Sequence, residues 1–168
     1  MAHTENALKT KSYRYFIVYL LEDLPEGAKF KPSFLHITIL PWFALETEEK
    51  PFINWFYKHF YSIQEFDAVV TEQKMFGPRH DVPVSILEPR VEFMELHKLA
   101  LSWFGELGAR WAERDPYVGD DYVPHIAQRQ GFVLKQGDKF NISSLALVRA
   151  NRREDDVRTV VAKALFNG

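Results

Sequence analysis

SFLHITIL, residues 33–40, is an apolar and β-branched run with one imidazole inside it. Such a run reads as a strand, stopped by Pro41. Side chains alternate along a strand, so His36, Thr38 and Leu40 share one face and Ile37 and Ile39 the other. An imidazole and a hydroxyl then stand side by side, about 6–7 Å apart along the strand. YVPHIAQ, residues 122–128, repeats the arrangement late in the chain. There His125 precedes Ile126, and Ala127 stands where Thr38 stands in the first run. A single strand histidine is more often a hydrogen-bonded core residue than a functional one. Two of them in similar contexts, one in each half, favour a shared task.

Working outward, YRYFIVYLL at 13–21 reads as a buried strand, broken by Pro25, Glu26 and Gly27. Residues 46–63 read as a helix with Thr47 as N-cap and Pro51 in the first turn. Phe52, Trp55, Phe56, His59, Phe60 and Ile63 make its apolar stripe. Strands follow at 66–71 and 82–87, with a turn at Gly77-Pro78. A second helix spans 91–107, ended by Gly108. A polar loop at 112–124 leads to a short strand at 125–130. Strands at 141–149 and 157–166 close the chain around the charged turn 151–156. This order lacks the regular βαβα alternation of a parallel sheet. It points to an α+β fold with mainly antiparallel pairing. Residues 1–168 read as a single domain, with 1–12 as a flexible tail.

Hydrophobic residues make up 46% of the 168 and charged residues 26%, enough for a well-filled core. The net charge of −2 argues against a protein that coats duplex DNA, which needs a broad basic surface. There is no cysteine, so thiol catalysis and Cys-type zinc sites are excluded. No histidine pair is spaced i, i+4 and no H-E-x-x-H occurs, so neither a metal nor another cofactor is expected. No apolar run nears the roughly 20 residues a membrane helix needs. The first residues lack the apolar core of a signal peptide. A cytoplasmic location, away from any membrane, is the expectation.

Two imidazole-bearing strands facing each other would put one ring on each side of a phosphorus atom. One ring takes a proton from the attacking oxygen and the other gives one to the leaving oxygen. Histidine suits both tasks, since its ordinary pKa is about 6.5.

The two triplets resemble the paired H-x-T/S motifs of the two-histidine (2H) phosphoesterases. They are most similar to those of the bacterial 2′–5′ RNA ligase-like (LigT-like) and cyclic phosphodiesterase branch. Residues 15–20, FGPRHDVPV at 76–84 and SLALVR at 144–149 are also similar to that branch. The resemblance implies a bilobal fold of two intertwined lobes. Two mainly antiparallel sheets would be related by a pseudo-two-fold, with helices outside and the active cleft between. It implies a metal-independent phosphodiesterase acting on 2′,3′-cyclic phosphate RNA ends or nucleotides, or on 2′–5′ linked or cyclic oligonucleotides. His36 and His125 would be catalytic and Thr38 would hold the phosphate. The partner would be a nucleotide, a cyclic oligonucleotide or an RNA 3′ end, and the protein a monomer.

One residue departs from that pattern: the family has Thr or Ser where Ala127 stands. Arg129 shares the face of His125 and Ala127 and is the candidate replacement donor. Trp42 and Phe43 follow the first strand and Tyr122 precedes the second histidine, so all three are candidates to stack on a base. Arg149, Arg152 and Arg153 are candidates to reach a phosphate tail, and His59 and His97 read as structural or surface residues. Two other readings stay open. One is a degenerate relative that binds nucleotide or RNA ends without efficient turnover. The other is an unrelated scaffold whose histidines are core.

Overall fold

The computed structural model describes residues 13–32, 35–102, 104, 108–112, 116–128, 134–151, 153 and 156–167. The expected tail at 1–12 lies outside them, as do Arg129 and Arg152. The chain runs β1 (Tyr13–Leu20), β2 (Lys29–Phe30), β3 (His36–Leu45), α1 (Glu49–Phe60), β4 (Phe66–Phe76), β5 (Val82–Glu88) and α2 (Arg90–Leu101). It continues through β6 (Ala109–Trp111), a 3-10 turn (Gly119–Asp121), β7 (His125–Ala127), β8 (Lys139–Ile142), β9 (Ser144–Asn151) and β10 (Val157–Leu165). The strands form a six-stranded sheet, β2-β10-β9-β1-β3-β6, and a four-stranded sheet, β7-β5-β4-β8. All pairings between these strands are antiparallel. The fold is α+β and bilobal.

β1 is apolar from Tyr15 to Val18 because both its faces are covered there. Tyr15 and Ile17 enter a core that also takes Phe52, Phe56 and Phe60 of α1, Phe93 and Leu96 of α2, and Val70, Leu87 and Ile126 of the smaller sheet. Phe16, Val18 and Leu20 face the other way, into a second cluster with Val148 and Val160, against which Trp42 packs. One core therefore draws on both sheets and both helices, while the second lies behind the six-stranded sheet.

α1 begins at Glu49 rather than at 46, and Glu48, not Thr47, stands at its N-cap without a side-chain bond. Pro51 falls in the first turn, where a missing N–H costs nothing. Phe52, Phe56 and Phe60 are spaced one turn apart and buried, and α1 rests on β10 and β9. α2 stops at Leu101, where the Ser102 hydroxyl donates to the Leu99 carbonyl at 2.7 Å. Among the described residues no helix is long and apolar enough to cross a membrane.

Two expectations fail for backbone reasons. β3 does not stop at Pro41 but continues to Leu45. Its register against β1 runs Thr38↔Val18, Leu40↔Ile17, Phe43↔Tyr15, with an irregularity on each side of Ile17. Pro41, which has no N–H to give, falls within the second irregular stretch. The first turns Leu40 into the core, where it is 0% exposed, instead of leaving it beside Thr38. The strand expected at 141–149 is two strands in different sheets. β8 pairs with β4, β9 pairs with β1 and β10, and the chain changes sheets at Ser143.

Candidate active site

β3 and β7 touch where the two sheets meet. Each begins at its histidine and each repeats one burial pattern: half-buried, buried, half-buried. Ile37 and Ile126 are 0% exposed in the core, so alternation turns His36 and Thr38, and His125 and Ala127, to the other side. Thr38, His125 and Ala127 line one cavity of about 610 Å³. That is a volume suited to a nucleotide-sized ligand. Phe16 and Trp42 wall it from the large sheet, Phe76, Gly77 and Pro78 from the β4–β5 hairpin, and Pro116, Tyr117 and Tyr122 from the loop before β7. His36 is not among the residues that line it; its ring stands at right angles to that of Phe16, which does, at 5.4 Å between centroids. Among the described residues no Asp, Glu, Lys or Arg lines the cavity.

His125 is fixed in one tautomer. Its Nδ1 lies 2.7 Å from the Val123 carbonyl oxygen. A carbonyl can only accept, so Nδ1 carries the hydrogen and Nε2 holds the lone pair of the neutral ring. The ring packs on Phe76 at 4.9 Å and on Tyr117 at 6.1 Å, and those two rings stack at 4.6 Å. An aromatic pair thus holds the imidazole plane in place.

Trp42 lines the cavity and is itself covered by neighbours. Phe16 stacks on its ring at 3.8 Å and the Arg14 guanidinium lies over it at 4.1 Å. Arg158 also lies over Trp42 at 4.9 Å, and both arginines approach Asp156. Phe43 is a correction. It is 0% exposed and stacks on Tyr15 inside the core. The strand continues past Pro41, so the neighbours Trp42 and Phe43 point to opposite faces.

Tyr122 reaches the cavity but is 3% exposed, and its hydroxyl donates to the Thr38 carbonyl at 2.8 Å. Burial raises that hydroxyl's pKa well above the ordinary phenol value. Its ring lies flat on His97 at 4.2 Å, which leaves that face closed to a base. Arg149 donates to both carboxylate oxygens of Glu49 at 2.9 Å, docking α1 on β9. Arg129, the candidate replacement donor, lies outside the described residues. Among the described residues no group of three His, Cys, Asp or Glu side chains could hold a metal ion. Phe16 and Phe76 fall in the segments 15–20 and 76–84 that resemble the family, but the sequence does not mark either as a cavity residue. Sequence reading also sets aside His97, whose helical neighbours give no hint of what it touches.

Comparison with solved structures addresses the fold. TT0787 of Thermus thermophilus superposes over 90% of this chain and 97% of its own, with a TM-score of 0.61 and 20% identity. A structure described as a phosphoesterase matches over 94% and 99%, with a TM-score of 0.62 and 14% identity. E. coli LigT in complex with 3′-AMP matches over 92% and 98%, with a TM-score of 0.58 and 13% identity. The chain has a LigT-like two-histidine phosphoesterase fold. No protein-family model and no curated protein matches its sequence. The LigT-like fold accounts for the bilobal sheet pair, with β3 and β7 meeting between the lobes.

Proposed function

We propose that the chain is a metal-independent phosphodiesterase acting on 2′,3′-cyclic phosphate RNA ends or nucleotides, or on 2′–5′ linked or cyclic oligonucleotides. The observation that carries the reading is that Thr38 of one sheet and His125 of the other line one cavity in a LigT-like fold. His36 shares the strand face of Thr38 and packs against Phe16, which lines the cavity. In the hydrolysis of a 2′,3′-cyclic phosphate, one imidazole takes a proton from water as its oxygen bonds to phosphorus. The other gives a proton to the ribose oxygen as its bond to phosphorus breaks. With Nδ1 tied to the Val123 carbonyl, His125 works through Nε2: as the base when the ring is neutral, or as the acid when Nε2 carries a proton. The Thr38 hydroxyl donates to a phosphoryl oxygen. E. coli LigT has been crystallised with 3′-AMP, NADP+, phosphate and ATP, which supports a nucleotide as the ligand class here. The reading takes the protein as a cytoplasmic monomer.

A second reading is a nucleotide or RNA-end binder with little turnover. Ala127 favours it, because a methyl group faces the cavity where a second hydroxyl is expected. Initial rates on a 2′,3′-cyclic nucleotide and a 2′–5′ dinucleotide, with excess EDTA, separate the two. Turnover that persists in chelator supports the enzyme. Tight binding without turnover supports the binder.

A further inference from the structure

His97 lies on α2, outside the cavity, and is 0% exposed. Its Nδ1 is 2.7 Å from the Ile39 carbonyl oxygen, and the Gly119 N–H donates to its Nε2 at 2.8 Å. A carbonyl accepts and a peptide N–H donates, so this ring is neutral with its hydrogen on Nδ1. A neutral imidazole offers one donor and one acceptor on opposite sides of a rigid plane. Here the donor side holds β3 next to Thr38. The acceptor side holds Gly119, which opens the turn leading to His125. Tyr122 adds a parallel link: its ring lies flat on His97, with 7° between planes, and its hydroxyl donates to the Thr38 carbonyl. Successive carbonyls of β3, at residues 38 and 39, are thereby bound to the loop that carries His125.

The link matters because β7 is held weakly by its own sheet. It is a three-residue strand at the edge of its sheet, paired among the described residues with β5 alone. A short edge strand has few ladder bonds to fix its height relative to the opposite lobe.

We infer that His97 is a positioning residue, with Tyr122 stacked on it as its second rung, that sets His125 against the β3 face bearing His36 and Thr38. The inference rests on the phosphodiesterase reading, in which a displacement of about 1 Å can cost about 10²-fold in rate. Three substitutions separate its parts. His97→Phe keeps a ring for Tyr122 but removes both bonds. His97→Gln places an amide oxygen near the Nε2 position and restores an acceptor for Gly119. His97→Asn places an amide nitrogen near the Nδ1 position and restores a donor for Ile39.

The experiment measures kcat and KM of the full chain on a 2′,3′-cyclic nucleotide, together with the long-range ¹H–¹⁵N spectrum of the histidine rings. The expected result for His97→Phe is a fall in kcat of about 10–10²-fold, with KM changed less and the His125 ring signals displaced. His97→Gln should recover more of the kcat than His97→Asn, because the Gly119 anchor lies in the segment that carries His125, whereas Ile39 lies on the opposite strand. A kcat for His97→Phe within twofold of the parent overturns the proposal, as does a loss of kcat with the His125 signals unmoved. If the parent hydrolyses nothing, the phosphodiesterase reading fails and the His125 signals alone decide. Displacement on His97→Phe then supports the strut and an unmoved spectrum overturns it. If His97→Phe does not fold, Tyr122→Phe, which removes only the bond to Thr38, is read by the same two criteria.

Discussion

Ala127 is where the two halves of the cleft differ. It faces the cavity from the position that Thr38 holds on the other strand, two residues after a histidine. A methyl group gives a phosphoryl oxygen nothing to accept. Ala127→Thr adds a hydroxyl on a strand that favours β-branched residues. Turnover of a cyclic nucleotide should rise by about 10-fold or more, since an oxyanion donor is worth about 2.7–4 kcal/mol. Thr38→Ala in the present sequence should lower it by about 10²–10³-fold. Equal initial rates for the parent and Ala127→Thr would show that another donor already serves. The side-chain directions behind this prediction were legible in the sequence, because Ile37 and Ile126 so plainly belong inside. Phe43 was not. Its direction depends on whether the strand ends at Pro41, and only the irregular pairing with β1 decides that. Nor was His97, whose partners come from β3 and from the 3-10 turn, segments remote from it in sequence.

α1 shows how an element is held and what it holds. Phe56 is 0% exposed, at the centre of a stripe packed into the shared core. Phe56→Ala should cost about 3–5 kcal/mol. For a chain of this length that lowers the melting temperature by roughly 6–20 °C, as calorimetry would read it. A shift below about 3 °C would mean that the stripe is not the helix's anchor. Helical periodicity made this element readable, although its ends moved by three residues because packing rather than capping sets them. The strands were readable one at a time, and their partners were not. The run at 141–149 looks continuous because both pieces are extended and no Gly or Pro parts them. Nothing local marks Ser143 as the point where the chain leaves β4 for β1. β2 and β6, at two and three residues, are too short to show any period.

At the scale of the whole molecule, one core joins the two sheets, so the cleft between β3 and β7 and the stability of the chain have common supports. Tyrosine titration reads that core. Burial raises the hydroxyl pKa of Tyr122, and burial followed by the nearby Glu49 raises that of Tyr15. Burial and the hydrogen bond to Glu26 push Tyr57 up to about 12. An unfolded tyrosine ionises near pH 10, as the ordinary value of about 10 requires. Between that pH and the raised values, the folded state binds more protons than the unfolded one, so stability falls as pH rises. The urea midpoint should hold level from about pH 8 to 9.5 and drop above pH 10, and a midpoint unchanged at pH 11 would count against this. The central claim is that two histidines from opposite lobes act on one phosphate. It is tested most directly by initial rates on a 2′,3′-cyclic nucleotide in excess EDTA, for the parent, His36→Ala and His125→Ala. The account predicts chelator-insensitive hydrolysis, lowered by about 10²–10⁴-fold by either substitution while the fold is retained. Hydrolysis that survives both substitutions, or that stops with EDTA and returns with a divalent ion, would contradict it.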